Sequence, residues 1–97
     1  MAKQVDANQT AVVAALRAAG ASVTHLHEVG KGCPDLLVGI AGKNYLVEVK
    51  DGGRPGAVKL TPDQEVFHRD WRGQIEVVTS AMQAFQFAKR LTAEARR

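Results

Sequence analysis

Two apolar runs in the middle of the chain predict a β-hairpin. The runs cover residues 35–40 and 45–50, and Gly, Pro or Asn residues bound each of them. We expect the turn to lie within residues 41–44, and a two-residue 42–43 loop and a four-residue loop both pair Asp35 with Lys50 across the strands. Because both runs are apolar at nearly every position, we expect both faces of the sheet to be covered.

Helical periodicity marks the two ends of the chain. From about Asp6 to Ala19, apolar residues recur at spacings of three and four, and Gly20 follows as a C-cap. A last helix is predicted after Ser80, which is a suitable N-cap, and runs to about Ala93. The stripes expected to pack in the core are Val12, Val13, Leu16 and Ala19 in the first helix and Met82, Phe85, Ala88 and Leu91 in the last.

A third helix begins in the second half of the chain. Thr61 is its expected N-cap, Pro62 suits the first helical position, and Gln64 stands where a capping box requires Glu or Gln. Capping is therefore a sufficient explanation of Gln64. Phe67 and Trp71 follow at helical spacing, and we expect both to pack in the core, with base stacking by Trp71 as the alternative.

Two further segments, residues 21–29 and 75–78, are predicted to be strands. With the hairpin they give the order α-β-β-β-α-β-α. This order predicts an α/β fold with a central mixed sheet flanked by helices. The 97 residues suffice for one domain, residues 1–97, and not for two.

Composition and charge narrow the class of protein. The net charge of +3 and the pI of about 9.4 favour a polyanionic partner such as nucleic acid, although a charge of this size also serves solubility. The single cysteine excludes an intrachain disulfide and a cysteine-rich zinc site. No apolar run is long enough to span a bilayer and no signal peptide is recognisable, so we expect a cytoplasmic protein of bacterial or phage type, with no membrane partner.

Three charged residues interrupt the apolar runs of the hairpin. Glu48 and Lys50 are two residues apart on one strand, so their side chains share a face, and Asp35 lies diagonal to Glu48 on the neighbouring strand in the predicted register. Two carboxylates at this separation can share a divalent cation, which removes their mutual repulsion. The alternative is a solvated salt bridge between Asp35 and Lys50.

The positions of these residues resemble the signature of the PD-(D/E)XK nuclease superfamily. The matching residues are Pro34, Asp35, Glu48, Val49 and Lys50. The flanking stretches, residues 32–39 and 45–52, are similar to the VRR-NUC branch of that superfamily, and the similarity covers about residues 6–84. The resemblance implies a restriction-endonuclease-like core.

The resemblance also implies an enzyme, an endodeoxyribonuclease that hydrolyses phosphodiester bonds with Mg²⁺ or Mn²⁺. The implied metal ligands are Asp35, Glu48, the main-chain carbonyl of Val49, and Gln9, and the implied catalytic residues are Asp35, Glu48, Lys50 and Gln64. Gln9 stands where related enzymes carry a glutamate, so the chain departs there from the acidic pattern. Gln64 would have to point at the active site, and we do not expect one side chain both to cap its helix and to do this.

Kinship with Holliday-junction resolvases implies a homodimer that cuts branched DNA, such as a four-way junction. Lys31, between two glycines, and Arg54 and Lys59, in the Gly-rich segment 51–59, are the candidate contacts to the DNA backbone. From composition alone, that segment is equally an ordinary surface loop.

Other reactive side chains receive structural interpretations. His25 and His27 share a face of the predicted second element, and we interpret them as surface or hydrogen-bonded residues rather than zinc ligands. Cys33 is expected to be a small buried hydrophobe, and His68 a solvated helix residue.

Two alternatives to a nuclease remain open. The chain could bind DNA without cutting it, as the replacement of the helix acid by Gln9 suggests. It could also be an interaction module in which Asp35, Glu48 and Lys50 form only a salt-bridge cluster.

Overall fold

The chain forms three helices and four strands in the computed structural model, which describes residues 7–97. The elements are α1 (Ala7–Ala18), β1 (Ser22–His25), β2 (Leu36–Ile40), β3 (Lys43–Val49), α2 (Pro62–Asp70), β4 (Ile75–Val78) and α3 (Ala81–Ala95). This order confirms the predicted α/β class and the predicted succession of elements. The predicted start of the first helix at Asp6 lies outside the described residues.

The four strands form one mixed sheet in the order β1-β2-β3-β4. β1, β2 and β3 are antiparallel neighbours, whereas β3 and β4 are parallel. A parallel pair needs a crossover connection, and α2 lies within it. α2 is therefore part of the connection that returns the chain from the end of β3 to the start of β4.

The hairpin has a different register from the predicted one. Leu36 pairs with Val47, and Ile40 pairs with Lys43. The turn is consequently Ala41-Gly42, with φ values of +54° and +78°, as a type I′ turn requires. The predicted 42–43 and 41–44 loops are both centred one residue later than the observed turn, which uses Ala41 at a positive φ that alanine rarely adopts. The observed register brings Asp35 beside Glu48, so the predicted pairing of Asp35 with Lys50 is wrong.

One face of the sheet packs on α1 and α3 and forms the hydrophobic core. The buried strand residues on this face are Leu36, Val38, Ile40, Val47 and Val78. The predicted stripe of α1 is confirmed, since Val12, Val13 and Leu16 are buried and Ala19 packs against the core. Burial of these side chains is the main stabilising contribution of the two helices.

The predicted stripe of α3 is confirmed at two of its four positions, since Ala88 is buried and Leu91 packs against the core, and it is wrong at Met82 and Phe85. Met82 and Phe85 are 72% and 41% exposed, while Ala84, Phe87 and Ala88 are buried. Apolar residues cover more than half of the circumference of this helix, so periodicity alone does not determine which side faces the sheet. The Phe87 ring meets Tyr45 edge-on, with ring centroids 5.3 Å apart, and this contact orients the helix.

The second face of the sheet is only partly covered, contrary to prediction. Leu37 is 38% exposed there, and no residue of α2 is fully buried. Trp71, at the end of α2, is 45% exposed and stacks on Phe67 with a centroid distance of 5.4 Å, so its predicted place in the core is also wrong. Within residues 7–97, none of the helices combines the length and apolar character needed to cross a bilayer.

Candidate functional site

The site is centred on Glu48, an acidic side chain that is only 2% exposed. Strand alternation turns Val47 and Val49 towards the core and directs Glu48 to the second face of the sheet. Asp35 precedes β2 and reaches the same place, since its Oδ2 accepts a hydrogen bond of 2.8 Å from the Val49 amide. The two carboxyl groups are therefore neighbours, and the main chain of β3 fixes one of them.

The pKa of Glu48 is raised to about 8. Burial is the largest cause, followed by the negative charge of Asp35 and a hydrogen bond with the Asp35 side chain, while Lys50 acts in the opposite direction. The hydrogen bond requires a proton shared between the two carboxyl groups. Without a cation, Glu48 therefore keeps its proton at neutral pH, as expected for a buried carboxyl group beside a second one.

The two oxygens of Glu48 differ in their surroundings. Oε2 accepts a hydrogen bond of 3.3 Å from Gln64 Nε2 and lies 3.7 Å from Lys50 Nζ. Oε1 is buried, and no donor among residues 7–97 reaches it when both carboxyl groups are ionised. A buried carboxylate oxygen without a donor is costly, and a cation at this position would offset that cost.

Gln64 both caps α2 and contacts the charged cluster. Its Oε1 accepts a hydrogen bond of 2.9 Å from the Thr61 amide and one of 2.7 Å from Lys50 Nζ. The main-chain amide of Gln64 in turn donates to Thr61 Oγ1, which completes the capping box. Our expectation that one side chain would not do both is wrong, because the amide oxygen accepts two bonds while the nitrogen remains free to reach Glu48.

Gln9, a further predicted metal ligand, makes a side-chain contact with His25. Gln9 is buried on α1, where its amide nitrogen lies 3.3 Å from His25 Nδ1. In residues 7–97, no three His, Cys, Asp or Glu side chains form a group that could hold a metal ion, so the acidic part of the site consists of Asp35 and Glu48. Carboxylate and carbonyl oxygens are the donors that Mg²⁺ and Mn²⁺ prefer, and the pair fits such an ion better than zinc.

The turn before Asp35 positions α2 against the site. Gly30, Lys31 and Gly32 all have positive φ, and Lys31 is exposed at φ +54°. A Cβ on Gly32 would lie 2.3 Å from the main-chain oxygen of Asp63, so only glycine permits this approach of the first turn of α2. Sequence reasoning gave Gly32 no such role.

The three side chains predicted to contact DNA are all exposed on the surface. Lys31 lines an open cleft of about 570 Å³ along α2, together with Phe67 and Trp71. Arg54 and Lys59 are exposed in the segment that follows β3, where successive turns are closed by main-chain hydrogen bonds. Their role as DNA contacts stays a prediction.

Sequence reasoning missed two side chains near Lys50. Asn8 on α1 donates a hydrogen bond of 2.8 Å to the Lys50 carbonyl oxygen and so ties this helix to the end of β3. His68 is half-buried rather than solvated as predicted, and burial and the charge of Lys50 lower its pKa. The spacing of four residues between Gln64 and His68 is the signal that could have revealed it.

Cys33 is half-buried, whereas the sequence predicted a buried side chain. Burial, and then the negative charges of Glu48 and Asp35, raise the pKa of the Cys33 thiol, which disfavours a nucleophilic thiolate. The rings of His25 and His27 meet edge-on with centroids 5.8 Å apart. The predicted strand over residues 21–29 ends at His25, so the shared strand face expected for the two histidines is not formed.

Fold and site together define an α/β domain with two carboxyl groups, a lysine and a glutamine converging where β2 and β3 meet α2. No protein-family model, curated protein or solved structure matches the chain in comparisons with known proteins. The functional proposal therefore depends on the chemistry of these residues.

Proposed function

We propose that this chain is a Mg²⁺- or Mn²⁺-dependent endodeoxyribonuclease of the VRR-NUC type, built on a restriction-endonuclease-like core. The observation that carries the proposal is the convergence of Asp35, Glu48, Lys50 and Gln64, with Glu48 Oε1 buried and lacking a donor among the described residues. A buried acid with a raised pKa, such as Glu48 in this cluster, is typical of functional sites. The resemblance of the same positions to the PD-(D/E)XK signature gives the cluster its chemistry.

The carboxylates of Asp35 and Glu48 and the carbonyl oxygen of Val49 would hold the cation. Gln9 stays a predicted neutral ligand on α1, where its amide nitrogen contacts His25. A cation held by these groups would supply Lewis-acid chemistry, polarising a phosphodiester and lowering the pKa of a water molecule. The protein supplies the acidic pair in a rigid arrangement, because the Val49 amide holds Asp35 and the strand holds Glu48. This rigidity is what a site of fixed coordination geometry needs.

Lys50 is the cationic group of the proposed reaction. Its ammonium is directed by Gln64 Oε1 at 2.7 Å and by Glu48 Oε2 at 3.7 Å. At this position it would orient the attacking water or stabilise the negative charge that develops on the phosphate. Gln64 thus acts on the reaction through Lys50 and Glu48.

The proposed substrate is DNA, with branched forms such as four-way junctions favoured. The net charge of +3 and the exposed side chains of Lys31, Arg54 and Lys59 support a polyanionic partner. The exposed face of Trp71 is available to stack on a base. We further propose a cytoplasmic homodimer, in which two sites cut the strands of a junction symmetrically.

Cleavage of defined DNA tests the proposal. Purified protein is incubated with a labelled four-way junction and with duplex DNA, with and without Mg²⁺ or Mn²⁺, beside the Glu48→Ala variant and the Glu65→Gln variant. We expect metal-dependent nicking by the wild-type protein and by Glu65→Gln, whose altered side chain is exposed on α2, and none by Glu48→Ala. Equal nicking by Glu48→Ala would contradict the assignment.

A DNA-binding protein without cleavage activity is the second candidate. The observation that favours it is the small acidic set, since only Asp35 and Glu48 supply carboxylates to the cluster within the described residues, and Gln9 is uncharged. A gel shift of the junction without nicking in any metal would support this candidate. Neither binding nor nicking would leave the interaction module, with the cluster serving only as a salt bridge.

A further inference from the structure

The inner side of α2 presents two polar side chains to Lys50 on successive turns. Residues four apart on a helix lie on the same face, and Gln64 and His68 are both half-buried there. Gln64 contacts Lys50 directly. His68 lies close enough for the charge of Lys50 to act on its ring.

The His68 ring has a buried nitrogen without a partner. Nε2 is shielded from solvent, and no hydrogen-bonding group among residues 7–97 reaches it. Burial and the Lys50 charge lower the pKa of His68, so the imidazole is neutral at pH 7 and has one N–H and one acceptor nitrogen. An N–H group of the Lys50 ammonium can donate to Nε2 only in the tautomer that has Nδ1 protonated and Nε2 as acceptor.

Lys50 has donor capacity that the cluster does not use. Of its three N–H groups, one donates to Gln64 Oε1 at 2.7 Å, and the contact with Glu48 Oε2 at 3.7 Å is an ion pair too long for a hydrogen bond. When Glu48 coordinates a cation, its charge is shared with that cation and its hold on Lys50 weakens. Lys50 then needs another acceptor if the ammonium is to keep its direction.

We propose that His68 is a positioning residue for Lys50, whose ammonium donates to His68 Nε2 as well as to Gln64 Oε1 when the site holds its cation and substrate. Two neutral acceptors on successive turns of α2 then fix the ammonium, and its third N–H remains directed at the phosphate. The inference rests on the proposed nuclease function for its purpose. Its structural part, the coupling of His68 to Lys50, stands independently of cleavage.

Nitrogen NMR of the histidine rings tests that coupling without any assay of activity. In ¹⁵N-labelled protein we expect His68 to show a protonated Nδ1 and an unprotonated Nε2 at pH 7, and to titrate at a higher pH in Lys50→Met than in the wild type. Lys43→Met, which removes an exposed lysine from the start of β3, should leave the His68 titration unchanged. A protonated Nε2 in the wild type, or an unchanged titration in Lys50→Met, would overturn the proposal.

Steady-state cleavage then tests the positioning role. His68→Leu removes the acceptor, and His68→Gln restores one near the position of Nε2. His27→Leu is the matched control, because His27 is also a half-buried histidine with a ring nitrogen that has no partner within residues 7–97. A lost hydrogen bond to a charged group predicts a decrease of about 10- to 100-fold in kcat for His68→Leu, with KM little changed and most of the rate restored in His68→Gln. Equal rates for His68→Leu and His27→Leu would overturn the proposal.

The two measurements separate failure of the inference from failure of the function. If the wild-type protein cuts no DNA under any metal, the proposed nuclease function fails, and the ring titrations still decide whether His68 is coupled to Lys50. If the wild-type protein cuts DNA and His68→Leu retains its rate, the function stands and the positioning role fails.

Discussion

At the scale of single residues, Glu48 is a buried carboxyl group with a strongly raised pKa. Its carboxyl group lies beside that of Asp35 and is reached by Lys50 and Gln64, yet one of its oxygens has no donor among the described residues. This arrangement lowers the free energy of unfolding when Glu48 loses its proton, because two neighbouring carboxyl groups are then both charged. Proteins retain costly polar groups of this kind mainly where the group has a function.

The raised pKa of Glu48 predicts how stability depends on pH. In the native state the proton is retained up to about pH 8, whereas an unfolded glutamate loses it near the ordinary value of 4.5. Between these values the native state binds more protons than the unfolded state, so the free energy of unfolding falls as the pH rises. In buffer with chelator, we expect the Tm of the wild-type protein to decrease from about pH 5 to about pH 8.

Glu48→Gln removes the titrating group and should flatten this dependence, while Glu65→Gln should keep it. The Tm of each protein, measured by circular dichroism across the same pH series, checks the prediction. Identical slopes for the wild type and Glu48→Gln would show that another group governs the pH dependence.

At the scale of elements, the sequence predicts correctly those features that depend on residues close together in the chain. The succession of helices and strands and the inner face of α1 follow from periodicity and caps, and the structure confirms them. The capping box at Thr61 and Gln64 was equally readable, because its geometry involves only neighbouring residues. Asp35, Glu48 and Lys50 were recognised as a cluster before their register was known.

Features that depend on contacts between elements were not predictable in this way. The hairpin uses Ala41 at a positive φ, against its local preference, and this choice decides that Asp35 meets Glu48 rather than Lys50. The phase of α3 depends on the fit of Phe87 to the sheet rather than on spacing. The approach of His68 to Lys50 requires the placement of α2, which no local pattern encodes.

The placement of α2 depends on Gly32, and a pair of substitutions tests this dependence. Gly30 and Gly32 have similar φ values of +77° and +79°, but a Cβ at Gly30 meets nothing within 4 Å, whereas one at Gly32 would collide with the main chain of Asp63. Alanine at either position incurs a backbone cost of about 1–2 kcal/mol. Only Gly32→Ala should also displace α2.

Urea unfolding and DNA cleavage of Gly30→Ala and Gly32→Ala provide the comparison. We expect Gly32→Ala to be the less stable of the two and to lose cleavage activity, because the collision moves Gln64 away from Lys50. Gly30→Ala should remain active when folded. Equal stability and activity in the two variants would contradict the role assigned to Gly32.

At the scale of the whole molecule, the core and the site occupy opposite faces of one sheet. α1 and α3 cover the first face and form the hydrophobic core with its strands, while α2 lies over the second face through polar contacts. The second face therefore contributes less to stability and remains accessible beside Leu37 and the cleft along α2. This division allows an expensive charged cluster to exist in a domain of 97 residues.

The central claim is that Asp35 and Glu48 together bind a divalent cation, and titration calorimetry with Mn²⁺ tests it most directly. The wild-type protein is compared with Asp35→Asn, Glu48→Gln and the surface control Glu65→Gln at pH 7. We predict saturable binding to the wild type and to Glu65→Gln, accompanied by proton release because the shared proton of the pair is displaced. Asp35→Asn and Glu48→Gln should each lose this binding, and retention of wild-type affinity in either variant, or no binding to the wild type, would contradict the claim.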